Sequence, residues 1–102
     1  MASRLNLHEE LCVLLGSRNV YFNPPESVKL VYPCIVYSKA GVNKVNADNH
    51  SYKSTKRYTV TTIDSNPDSD LYERIMEHFS MCSFDRSYPS NNLNHNVLTL
   101  YY

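Results

Sequence analysis

Two runs of the chain lack any helical stripe and are rich in β-branched and aromatic residues: Leu30 to Tyr37 and Thr55 to Ile63. Such composition suits a pleated, partly buried surface, so both are read as strands. The first is apolar at both alternating sets of positions, which predicts a strand covered on both faces or hidden in an interface. Pro33 sits inside it, and a proline in a ladder is confined to an edge or a bulge. The second run alternates, with Tyr58, Val60 and Thr62 on one face and Arg57, Thr59 and Thr61 on the other, the pattern of a half-buried antiparallel strand. The 17 residues from Ser38 to Ser54 are polar and asparagine-rich. They predict a long loop, either an extended hairpin arm or a mobile segment that orders on binding.

Periodicity of another kind frames these strands. Leu7, Leu11, Leu14 and Leu15 recur on one face of a helix over residues 4 to 15, with Asn6 and Glu9 spaced as a capping box and Gly16 placed to end it. Val20 to Phe22 reads as a short edge strand before the extended Asn23-Pro24-Pro25 connector, whose Tyr21 and Phe22 serve either as core anchors or as an aromatic patch for a partner. Asn66, Pro67 and the acids that follow have the chemistry of a helix start, predicting a helix from there to about Ser80 with Leu71, Ile75 and Phe79 buried, joined by Tyr72 and Met76. Cys82 to Tyr88 reads as a short strand, Tyr88 to Asn92 as a turn, and Val97 to Tyr102 as a last strand. This order predicts one α+β domain over residues 1–102: a mostly antiparallel sheet of about four strands, two packed helices, and a long loop at 38–54.

The charges balance over the whole chain but not along it. Residues 39–57 hold Lys39, Lys44, Lys53, Lys56 and Arg57 against Asp48, whereas residues 64–86 hold six acids against Arg74 and Arg86. A neutral total gives no overall field toward nucleic acid or membrane, yet the two segments are complementary to each other. They can meet within one copy or between copies. Lys44, Lys53, Lys56 and Arg57 on one side, and Asp68 and Asp70 on the other, are therefore candidate interface residues. Tyr101 and Tyr102 join them, since so apolar a final segment is expected to pair or to dock.

Catalytic chemistry finds little footing. Two glycines in the chain exclude a glycine-rich phosphate loop, and the four histidines lack metal-binding spacing. Cys12, Cys34 and Cys82 form no CxxC pair, which predicts reduced thiols and an intracellular protein. Cys34, His95 and Asp64 have the residue types of a thiol triad, without a motif to join them. The acids near Asp68 are read as helix capping rather than a metal site. No apolar window approaches the ~20 residues of a membrane span, and the first residues lack a signal peptide's apolar core. The expectation is a non-enzyme without cofactors. Nine tyrosines and no tryptophan lean toward a protein whose surface meets other surfaces.

The succession Tyr32-Pro33-Cys34-Ile35-Val36-Tyr37, Ala47-Asp48-Asn49-His50-Ser51-Tyr52, Arg57-Tyr58-Thr59-Val60-Thr61-Thr62-Ile63-Asp64, Pro67-Asp68-Ser69-Asp70 and Asn94-His95 leading to Leu98-Thr99-Leu100-Tyr101-Tyr102 resembles the tail-terminator or tail-completion proteins of long-tailed bacteriophages. The likeness rests on order and size and spans roughly residues 5 to 102. It implies a small α+β domain that assembles as a six-membered ring, caps the tail tube, stops its growth and presents a surface to the head connector. The implied partners are further copies of the chain, the tube protein and the connector or neck protein. DNA would meet it only in passing through the ring. The implied location is the virion, after assembly in the host cytoplasm. The nearest alternative is a head-tail joining protein of similar fold, and a nucleic-acid-binding module using the basic loop is a third reading.

Overall fold

The structure, a computed structural model, describes residues 4–47 and 50–102, with side chains described for 4–40 and 56–102. Its elements run α1 (Arg4–Leu15), β1 (Val20–Phe22), β2 (Cys34–Ala47), β3 (His50–Asp64), α2 (Leu71–His78), β4 (Cys82–Ser90) and β5 (Leu93–Tyr101). Five strands form one sheet in the order β1-β2-β3-β5-β4, one more than the sequence suggests. All pairs are antiparallel except β1 with β2.

Both helices pack on the same side of the sheet. There Leu7 and Leu11 of α1 and Leu71, Ile75 and the following Phe79 of α2 meet Ile35, Tyr37, Tyr58, Val60, Leu98 and Leu100. Each fully buried aliphatic side chain contributes about 1.5–3 kcal/mol by leaving water, so this cluster is the main source of stability. The Tyr37 phenol is satisfied inside it: Arg4 Nη1 donates to the hydroxyl at 3.2 Å, and the hydroxyl donates to His8 Nδ1 at 2.8 Å. Burial, followed by the Arg4 charge, lowers the pKa of His8, consistent with an unprotonated acceptor nitrogen.

The predicted helix over 4–15 and its terminator agree with the structure. Gly16 has φ +84 and its N–H donates to the Cys12 carbonyl at 2.9 Å. Asn6 lies within the first turns of α1 rather than before it, so it is not the helix N-cap. Arg74 of α2 donates to the Leu14 carbonyl at 3.0 Å, satisfying a carbonyl left open at the end of α1.

Several boundaries depart from expectation for local reasons. Leu30 to Pro33 stands outside the sheet and β2 begins at Cys34, which removes the conflict of a proline inside a ladder. The segment 66–69 is a turn instead of helix: Ser69 N donates to Asn66 O, while Asn66 Oδ1 accepts from Asp68 N and Asp64 Oδ1 from Asn66 N. These side-chain acceptors satisfy the backbone in competition with a helical turn, so α2 starts after Asp70 and ends at His78. β4 continues through Pro89 to Ser90, where proline is tolerated because the strand lies at the sheet edge. The connection to β5 is two residues, Asn91 and Asn92, both in the left-handed region at φ 52 and 62, as a type I′ hairpin requires.

Of the two alternatives for 38–54, the structure has the extended hairpin arm rather than a mobile loop: β2 and β3 continue as a hairpin from Cys34↔Ile63 out to Ala47↔His50, with register shifts after Lys39 and Val45. β1 accompanies β2 only as far as Tyr37, and β5 accompanies β3 only from Arg57 onward, so the outer part of this hairpin is a two-stranded arm beyond the sheet. Asp48 and Asn49 lie outside the described residues.

Candidate subunit interface

The strand β3 joins two regions of opposite charge. Lys56 and Arg57 sit at the root of the arm, and Asp64 ends the strand at the opposite end of the sheet. Seven residues at about 3.3 Å each place these ends roughly 23 Å apart along the strand. Beyond Asp64, the exposed acids Asp68 and Asp70 occupy the turn, with Glu73 and Glu77 on the outward side of α2. Asp64 and the turn with Asp68 and Asp70 therefore lie toward the opposite end of β3 from Lys56 and Arg57, whereas α2 runs back toward the arm root, where Phe79 meets Tyr102.

Individual candidates differ in how far the chain itself engages them. Lys56 exchanges backbone hydrogen bonds with Tyr102 (3.1 and 3.0 Å), which ties the arm's root to the end of β5. Arg57 is exposed and its Nη2 donates to the Ala40 carbonyl at 3.3 Å, leaving it without a carboxylate partner among the described residues. Asp70 is ion-paired with Arg74 at 3.3 Å, four residues on, so part of its charge is met internally. Asp68, Glu73 and Glu77 have no cationic partner among the described residues, and Glu73 and Glu77 stand one helical turn apart, where like charges repel. Lys44 and Lys53 belong to the arm, opposite Ser54 and Val45; their side chains lie outside the described residues.

Tyr101 is opposite Arg57 in the β3–β5 ladder and is half-buried. Tyr102 turns inward. Its ring meets Phe79 edge-on at 5.9 Å and its hydroxyl donates to the Glu10 carboxylate. His78 Nε2 donates to the other oxygen of Glu10 at 2.9 Å. Burial pushes the Glu10 pKa up, but the hydrogen bonds from Tyr102 and His78 outweigh it and hold the carboxyl below its ordinary value. The Tyr102 phenol is pushed up to about 12, first by its bond to Glu10 and then by burial. This network joins α1, α2 and β5 and leaves no sequence motif.

The residues of a thiol triad are held apart. Cys34 and His95 are both in register with Ile63, one on each side of it, so two strand spacings of about 4.8 Å separate them. Asp64 Oδ1 accepts from Asn66 N within the turn. Burial pushes the Cys34 thiol up to about 11, away from the thiolate that chemistry requires. His95 stacks on Tyr88 with ring centroids 4.8 Å apart. Among the described residues no group of three or more His, Cys, Asp or Glu is placed to hold a metal ion, and no helix is long and apolar enough to cross a membrane.

Exposure of apolar side chains marks a feature missed by the leucine stripe. Leu5 and Val13 of α1 are 65% and 79% exposed and stand on the outward side of the helix with Glu9 between them. Their spacing of eight residues, off the stripe of Leu7 and Leu11, is a signal the sequence does carry. Compared with family models and with curated proteins, the chain matches none.

Proposed function

We propose that the protein is a structural subunit that assembles with copies of itself into a ring, of six members by the resemblance above, capping a phage tail tube, ending its growth and offering a surface for head attachment. The observation that carries the self-assembly is the placement of the basic arm root and the acidic turn at opposite ends of β3. Charges so placed cannot neutralise each other within one copy, whereas a head-to-tail contact between copies joins them. A projecting two-stranded arm with unpaired backbone on its outer edges favours the same reading, because such edges seek a partner chain. The tube and the connector as further partners rest on the resemblance alone.

The test is the native mass by light scattering over a range of concentrations at low and high salt. A species near six times the monomer mass that dissociates as salt rises supports the ring and its charge-paired contact. A monomer under all conditions, with DNA binding that weakens steeply with salt, sinks the self-assembly reading and favours the nucleic-acid module.

A further inference from the structure

The helix-facing side of the sheet changes character where it passes beyond the start of α2. Along β5 that row runs Leu100, Leu98, Asn96, Asn94, and residues opposite one another in an antiparallel ladder share a face, so Ser87 and Pro89 of β4 lie on the same side. Two buried leucines thus give way to amides and a hydroxyl. Here a cavity of about 320 Å³ is left between the turn that precedes α2 and the β4–β5 hairpin, at the lower end of the size range of ligand pockets. Tyr72 and Phe84, with ring centroids 5.5 Å apart, line it together with Pro67 and Pro89. Phe84 and Tyr88 are left 43% and 41% exposed around it. His95 also lines the cavity, and its buried Nδ1 has no hydrogen-bond partner among the described residues.

Among the described residues no Lys, Arg, Asp or Glu lines this space, and Asp68 beside Pro67 disfavours an anion at its mouth. Aromatic and proline faces next to amide and hydroxyl donors suit an extended proline-bearing segment. Its rings pack on aromatic side chains, and its carbonyls, free of internal hydrogen bonds, accept from amides. This chain carries such a segment. Residues 23–33, with Pro24 and Pro25, join β1 to β2 at the edge of the sheet opposite β4. Asn23 N donates to the Tyr37 carbonyl at 3.0 Å and Val31 N to the Tyr21 hydroxyl at 3.3 Å, which ties down both ends of this connector. Between those ties Pro25, Val28 and Lys29 are exposed. Lys29 has no carboxylate partner and Asp68 no cation among the described residues. Resting on the self-assembly reading, we infer that the Pro24-Pro25 connector of one copy seats in the aromatic cavity of a second copy, with Lys29 approaching Asp68. The occupant is a second copy because the two surfaces lie at opposite edges of the same sheet and carry opposite, unmatched charges. Such a contact uses different patches on its two partners, so it repeats in one sense and closes into a ring when the rotation allows.

The test uses full-length variants that block one side each: Phe84→Ser in the cavity, and Pro24→Ser combined with Pro25→Ser in the connector. Circular dichroism first establishes that each is folded. By sedimentation velocity each variant alone is expected to need a concentration at least ~10-fold higher than wild type for assembly, a loss of about 1.4 kcal/mol or more. The connector variant keeps its cavity and Phe84→Ser keeps its connector, so an equimolar mixture is expected to give a 1:1 dimer and nothing larger. When only the connector variant is isotope-labelled, the side-chain amide signals of Asn94 and Asn96 are expected to shift on mixing. Assembly left unchanged in both variants, or amide signals that stay in place in the mixture, overturns this contact while self-assembly stands. Signals that move with added oligoproline but not with the second copy overturn the choice of occupant and leave the cavity to a proline segment of another protein. A wild type that is monomeric throughout removes both the contact and the self-assembly.

Discussion

The Tyr102 hydroxyl donates to the carboxylate of Glu10, 92 residues away in sequence, and the same Tyr102 exchanges backbone hydrogen bonds with Lys56. One residue therefore links helix α1 to the strand from which the hairpin arm departs. Tyr102→Phe keeps the ring against Phe79 and removes only the hydroxyl. The Glu10 side chain is 37% exposed, so solvent screens the bond and the loss is expected to be modest, about 1 kcal/mol by urea unfolding. Hydrogen exchange at the Lys56 amide is expected to rise with it; unchanged exchange there would show that the hydroxyl does not steady the arm's root.

The same pair predicts the pH range of stability. Folding lowers the Glu10 pKa from 4.5, so its contribution is present above 4.5 and is lost as pH falls through the folded value. Folding raises the Tyr102 pKa from 10.0 to about 12, so its contribution is complete below 10 and is lost as pH rises toward 12. His8, lowered from 6.5, and Cys34, raised from 9.0 to about 11, narrow the window from either side, so urea midpoints of wild type are expected to be level between 6.5 and 9.0 and to decline outside that range. Glu10→Gln should flatten the acid limb; an acid limb of the same slope in this variant would assign it to other carboxylates.

Neighbouring positions on α1 should respond very differently to truncation. Leu11 is fully buried against the sheet, and Leu11→Ala is expected to cost about 2–5 kcal/mol through lost burial and the cavity left behind. Val13→Ala, at 79% exposure, is expected to change unfolding by less than about 0.5 kcal/mol. Similar costs for the two would contradict the orientation of the helix.

Two backbone positions test the caps and turns. Gly16 has φ +84 with open space where a Cβ would stand, so Gly16→Ala is expected to cost about 1 kcal/mol from backbone conformation alone, without a clash. Asn92→Gly, at φ 62 in the two-residue turn, is expected to raise the thermal midpoint slightly, whereas Asn92→Val should lower it. A stabilising Val would rule out the type I′ turn.

Thiol reactivity checks the burial of Cys34 and Cys82. Burial pushes the pKa of Cys34 up to about 11 and also raises that of Cys82, so alkylation of the native protein at pH 8 is expected to be slow at both and to accelerate on unfolding. Rapid modification of native Cys34 would show that it is neither buried nor raised.

Patterns of local origin were legible in the chain itself. Helix α1 follows from the leucine spacing and from Gly16, β3 from the alternation of Tyr58, Val60 and Thr62, and the buried side of α2 from Leu71, Ile75 and Phe79. These depend on periods of 3.6 and 2 and on glycine's conformational freedom, all properties of neighbouring residues. Tertiary structure alone decided the rest. Residues 38–47 and 50–54 extend the β2–β3 ladder because strand pairing satisfies their backbone, although their polar side chains carry no core pattern. The turn at 66–69 displaced a helix start because Asp64 and Asn66 supply the backbone's acceptors themselves. The separation of Asp68 and Asp70 from Lys56 and Arg57 and the Glu10–Tyr102 link depend on which strands lie side by side. That is set by contacts between residues far apart in the chain, which no local pattern encodes.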